Sequence, residues 1–189
     1  KNISADSGIT SSKKGFEYLN ELFIKRHKKI LWRSAERITV GVLVIIAAVL
    51  LLFVYVPEAK SAVNGALMNF LPLSLFVMYI LNRGTGFTQA LFVNCDSSLL
   101  TYSFYKRPKF ILKLFQIRLR EIVKINLLPA FAIGAGLMLL LYVSGGTENP
   151  LNYGVLFVSV SALSIFFSVH YLTLYYLLQP YNAGTEIKS

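Results

Sequence analysis

Residues 38–56 read ITVGVLVIIAAVLLLFVYV, nineteen positions without an Asp, Glu, Lys or Arg. About 20 apolar residues carry an α-helix across the hydrocarbon core of a bilayer. The run is not alone: residues 62–82, 126–144 and 153–179 are equally free of charge, with a charged turn at Glu148 between the last two. A soluble fold can bury one such helix, but four in 189 residues leave too little polar surface to keep it in water. The composition agrees, with 15% charged residues where a soluble domain carries about 25%. The sequence predicts an all-α, polytopic transmembrane helix bundle of four spans, read as a single domain.

The charges set the topology. Eighteen of the 19 basic residues lie before the first span, between the second and third, or after the fourth; only Lys60 lies in an opposite turn. The positive-inside rule places both chain ends and the 83–125 segment in the cytoplasm. Short external turns fall around Pro57–Ser61 and Gly145–Asn152. The net charge of +10 then reads as attraction to anionic headgroups at the cytoplasmic face. Nucleic-acid binding is the other meaning of such a charge, but no nucleic-acid motif accompanies it. The single Cys95 excludes an internal disulfide or a multi-cysteine metal site. The chain begins at Lys1 with no apolar leader and closes without a recognisable signal, so it is read as part of a longer chain.

The flanks have patterns of their own. From Gly15 to Arg37, Phe16, Leu19, Leu22, Phe23, Ile30 and Leu31 recur at helical spacing among lysines and arginines, with Trp32 close to the first span. This predicts a basic amphipathic helix lying in the interface, or else a solvated helical lead. In span two, Pro72 predicts a kink, and Asn69 is expected to face another helix or a cavity. In span three, Ala130 with Gly134 and Ala132 with Gly136 are small-residue pairs that allow close helix approach. In span four, Ser161, Ser164, Ser168, Tyr171 and Tyr175 form one semi-polar stripe, either a packing seam or, with Asn69, a hydrophilic pathway.

Between spans two and three, Asp96 is a candidate N-cap for a short helix through Leu99, Leu100, Phe104 and Tyr105. Pro108 suits the first position of the next helix. That helix carries Lys109, Lys113, Gln116, Arg120 and Lys124 on one stripe, and either lies on the membrane or extends span three.

Catalytic constellations are missing. There is no HExxH, no GxSxG and no phosphate-binding GxxxxGK[ST] loop. None of the nine acidic residues falls inside a span, so coupling to an ion gradient is hard to build from this chain. No metal or cofactor is expected, and the protein is not read as an enzyme.

The stretch from Asn94 to Lys113, NCDSSLLTYSFYKRPKFILK, together with the layout of span pairs around it, resembles the membrane (permease) subunit of a bacterial ABC exporter of the Gram-positive type. The closing LLQPYNAGTEIKS looks like a connector to further spans. The resemblance implies a plasma-membrane permease that partners an ATP-binding subunit in trans, pairs with a like or unlike permease, and binds anionic lipid but no nucleic acid. It also implies a coupling segment for the ATPase, here Asp96, Tyr102, Phe104, Tyr105, Lys106 and Arg107. Two other readings stay open: a membrane scaffold that binds helices and anionic lipid without transporting, and a lipid-modifying enzyme using His170 or the Asp96 region.

Overall fold

The computed structural model describes residues 12–99, 102–103 and 107–180, and these are helical with no strand. Helix α1 is Phe16–Tyr55, α2 Ala59–Met68, α3 Phe70–Leu81 and α4 Gly84–Leu91. A π-helical segment, Phe92–Asp96, leads into α5, Ser97–Leu99. The two remaining helices are α6, Pro108–Val143, and α7, Leu151–Leu178. Three helices are long and apolar enough to cross a membrane, in α1, α6 and α7; counting the bent pair α2–α3 as one span makes four. The fold is an all-helical one with three to four candidate membrane spans.

Two sequence expectations change here. The basic lead is not a separate helix: it is continuous with the first apolar run in one 40-residue helix, about 60 Å long at 1.5 Å per residue. No proline or stop signal lies between Phe16 and Tyr55. Moreover, Asn20, Phe23, His27 and Leu31 are buried while Leu19 is 44% exposed, so part of the apolar face packs against protein. The second span breaks at Asn69 rather than bending at Pro72. Asn69 (φ −98°, ψ 5°) closes α2 and opens α3, with an 85° bend across the break. A proline in a helix interior forfeits a hydrogen bond and strikes the carbonyl four residues back. Breaking at Asn69 puts Pro72 in the first turn of α3, where backbone N–H groups have no partner within the helix. Asn69 itself is exposed, and its Nδ2 donates to the Gly65 carbonyl at 3.0 Å. Within the chain its amide N–H is thus satisfied by its own helix.

The chain packs as two compact units. One comprises the residues up to Ser34, Arg83–Ile125 and the residues from Ser168 on; the other comprises Ala35–Asn82 and Asn126–Phe167. Two dividing lines, 82/83 and 125/126, fall where charge-free runs end and begin.

In the second unit, Phe53, Leu67, Leu140, Leu141 and Leu156 form the core, with Ile46 packed against it. The small residues of α6 do what their spacing predicts. A Cβ on Gly136 would run into Ile46 of α1, and one on Gly134 would lie 2.8 Å from the Phe157 ring of α7. The turn after α6 needs its glycines, since Gly145 and Gly146 have φ of 128° and 74°. Asn64 of α2 secures that turn, donating from Nδ2 to Ser144 Oγ (3.1 Å) and to the Gly146 carbonyl (2.9 Å).

In the first unit, Phe87, Leu91 and Phe92 are buried, as are Leu114, Ile122 and Ile125 of α6 and Leu172 of α7. Phe16 meets Phe110 edge to face at 5.2 Å. His27 stacks on Phe23 and bonds through Nδ1 to the Phe23 carbonyl at 2.9 Å. Gly84 lies so close to Tyr171 that a Cβ there would overlap the ring.

Candidate functional site

The first unit buries an ion pair. Asp96 is 1% exposed and Arg118 2%, and their side chains meet fork to fork: Nη1 donates to Oδ2 and Nη2 to Oδ1, each at 2.6 Å. Two tyrosines of α7 complete the cluster. Tyr175 donates its hydroxyl proton to Asp96 Oδ2 at 2.6 Å, and Tyr176 accepts from Arg118 Nη1 at 2.6 Å. The Arg118 Cζ also stands 5.8 Å from the centre of the Tyr176 ring, within cation–π range. Phe115 closes on that ring edge to face at 5.7 Å.

Each partner has a local reason for its place. Asp96 is the last residue of the π segment. A π turn holds one residue more than an α turn and is frequent at functional sites; the extra residue rotates the next helical turn by roughly 100° about the axis. Arg118 sits on the buried face of α6, between Leu114 and Ile122. A lone arginine there needs an acid, because an unpaired charge in an apolar interior is very costly. Tyr175 and Tyr176 are neighbours on α7, their rings 5.4 Å apart and 77° to each other, so they reach the pair from two directions.

Chemically, this arrangement holds two opposite charges together tightly and directionally, with the Cys95 thiol beside them, its pKa raised by burial and by the Asp96 carboxylate. No group of three or more metal-ligating side chains exists among the described residues. The cluster ties the segment between spans two and three to α6 and α7.

Other residues singled out from the sequence have different settings. Asp96 does not cap a helix: it continues directly into α5 and spends its carboxylate on Arg118 and Tyr175. Tyr102 is 56% exposed, and Arg107 is exposed next to Pro108. Pro108 is the first residue of α6, and the Arg107 carbonyl accepts from the N–H of Phe110 and Ile111 at 3.0 and 3.1 Å. Phe104, Tyr105 and Lys106 lie outside the described residues. The basic helix and span three are one continuous α6 of 36 residues. On α7, Ser161 is half-buried and donates to the Phe157 carbonyl at 2.9 Å. Ser164 is fully buried and donates to the Asn126 carbonyl at 3.1 Å. Ser168 is fully buried too, and Tyr171 covers Gly84. Sequence reasoning missed Arg118 and Tyr176, although the position of Arg118 on an apolar face was a usable signal.

Comparison with protein-family models, with curated proteins and with solved structures finds no match.

Proposed function

We propose that this chain is a membrane-spanning permease subunit of an ATP-driven exporter, with the segment between its second and third spans as the docking element for a separate ATPase. The observation that carries the reading is the Asp96–Arg118–Tyr175 cluster. Through it, a segment outside the charge-free runs is held on α6 and α7 by buried, charge-assisted hydrogen bonds. A docking element that is to move spans needs such a connection, because a bidentate pair resists sliding where an apolar contact would not. Exposed Tyr102 and Arg107, a few residues further on, offer an aromatic and a cation to a partner. The near-total bias of basic residues to one side supports N-in, C-in insertion in a plasma membrane.

The test is a pull-down from solubilised native membranes, comparing the unaltered chain with a Tyr102→Ala/Arg107→Ala variant. An ATP-binding protein recovered with the first and depleted from the second supports the permease and its docking element. If no ATPase comes with either, the permease loses its energy source and a non-transporting scaffold explains the chain better.

A further inference from the structure

A small cavity of about 10 Å³ lies where the start of α1 meets the π segment and α6, all within the first unit. Its walls are mostly hydrocarbon, Phe23, Leu91 and Leu114 among them; the polar side chains among the described residues that line it are Asn20, Cys95 and Arg118. Two of these three carry an atom that the protein leaves unsatisfied. Asn20 is 7% exposed, and its Oδ1, an acceptor, has no hydrogen-bond partner among the described residues. Arg118 is 2% exposed, and both of its terminal nitrogens are bonded, to Asp96 and Tyr176. Its Nε–H, a donor, has no hydrogen-bond partner among the described residues. Buried polar groups in native proteins are almost always bonded. An acceptor and a donor left over at one cavity therefore point to a group that serves both.

We propose that this cavity holds one structural water, which accepts from Arg118 Nε–H and donates to Asn20 Oδ1. Its second hydrogen turns to the Cys95 sulfur, a weak acceptor, completing the roughly three bonds typical of an interior water. The volume fits, since one water needs about 10–15 Å³ of such space, and nothing larger enters. Oδ1 and Nε are sealed from bulk solvent, with almost no accessible area. A socket for a single water produces that result, because a molecule that just fits has one position and sweeps out almost no surface. Charge selects against ions: a cation would meet the guanidinium, and an anion would compete for it with Asp96, already bound fork to fork. A hydrocarbon fragment would leave both polar atoms unmet.

The consequence is reach. Asn20 belongs to α1, Arg118 to α6 and Cys95 to the π segment. Direct bonds join the π segment, α6 and α7 in the Asp96 cluster; the water makes α1 a member as well. It also engages the last nitrogen of the guanidinium, so the plane of Arg118 is held from both ends.

The inference is independent of the permease reading. Its direct test is a crystal structure of the full chain grown from a lipidic phase, at a resolution that orders waters. A single peak within hydrogen-bond distance of both Asn20 Oδ1 and Arg118 Nε is expected. Direct contact between those two atoms, a cavity without density, or a peak too long for water overturns the proposal. Reversible unfolding in detergent gives a second readout. Asn20→Leu is close in volume but removes the amide, so the water loses a partner, and the folded-to-unfolded ratio should fall about tenfold or more. Asn20→Gln is one methylene longer, so its carbonyl reaches the place of the water and meets Nε–H directly. A bridging water is nearly as good as a direct bond, so this variant should stay within about threefold of the unaltered chain. Indifference to Asn20→Leu, or equal losses in the two variants, overturns the proposal as well.

Discussion

Replacing Asp96 by Asn keeps the shape of the side chain and removes its charge, leaving Arg118 as a buried cation without its counter-ion. Both side chains are almost wholly shielded from solvent, at 2% and 3% exposure, so bulk water and salt relieve little of that cost. Breaking a buried pair by removing one partner typically costs about 3–5 kcal/mol. The carboxylate also accepts from Tyr175 at 2.6 Å, and a hydrogen bond to a charged group contributes about 1.5–3 kcal/mol. Asp96→Asn retains part of these bonds through its amide oxygen, which places it near the low end, at about 3 kcal/mol. Arg118→Met strands the carboxylate and belongs nearer the high end, at about 5 kcal/mol. The double variant Asp96→Leu/Arg118→Met removes both charges and should be far less damaged than the sum of the singles, since an apolar substitute for a buried pair is often neutral or better. The assay is reversible unfolding in detergent followed by circular dichroism, run as a double-mutant cycle at two salt concentrations. A coupling of at least about 2 kcal/mol is expected, with little change on adding salt. Additive single effects, or a coupling that vanishes in high salt, would refute the claim that this pair is buried and mutually dependent.

Other consequences are as concrete. Gly136→Val should force a side chain into Ile46 and cost about 1–3 kcal/mol, with partial recovery when Ile46→Ala makes room. Asn64→Ala removes two hydrogen bonds to the turn after α6, so a loss of about 1–3 kcal/mol in melting experiments is expected. Pro72→Ala should shift stability by less than about 1 kcal/mol and leave the α2–α3 break in place, because the prolyl nitrogen lies in a first turn; a straightened helix, seen as a changed distance between spin labels on α2 and α3, would contradict this. In a Cys95→Ser background, a membrane-impermeant maleimide on intact cells should label a cysteine at Thr147 but not one at Ser12, and the reverse pattern would overturn the N-in orientation.

The sequence makes the helices legible and the contacts between them only partly so. Charge-free runs mark the apolar stretches because desolvating a single Lys or Glu in hydrocarbon outweighs any local preference. Pro108 marks the start of α6 because it needs no N–H partner there. Glycines 134 and 136 announce close approach, and the structure names Phe157 and Ile46 as the neighbours. The continuity of α1 was masked by composition: nine basic residues before Ile38 suggest an interface helix, while its buried face, from Asn20 to Leu31, depends on helices distant in sequence. The break at Asn69 has no residue signal stronger than the proline three positions later, which explains why the expected bend fell on Pro72. The π segment has no composition of its own, so the turn that delivers Asp96 could not be read. Arg118 could have been. Ile111, Leu114, Arg118, Ile122 and Ile125 succeed one another at steps of 3, 4, 4 and 3, and a charge in the middle of such a face must have a partner.

That partner determines how the first unit responds to force. Hydrogen bonds of 2.6 Å in a planar fork weaken steeply once donor and acceptor separate by about 1 Å or tilt out of line. Buried apolar side chains such as Leu91 and Leu114 tolerate sliding of that size, since their attraction depends on area rather than direction. A displacement of the 92–96 segment therefore has two outcomes: α6 and α7 move with it through Arg118 and Tyr175, or the pair breaks and two charges are left buried without counter-ions. The second outcome carries the same penalty of several kcal/mol as the loss of one partner, roughly that of a single point mutation severe enough to unfold a marginal domain. A small pull on the segment is thus transmitted to the helices, and only a large one releases them. Asp96→Asn would weaken this connection, by removing the charge that holds Arg118, while leaving the exposed side chains of Tyr102 and Arg107 unchanged.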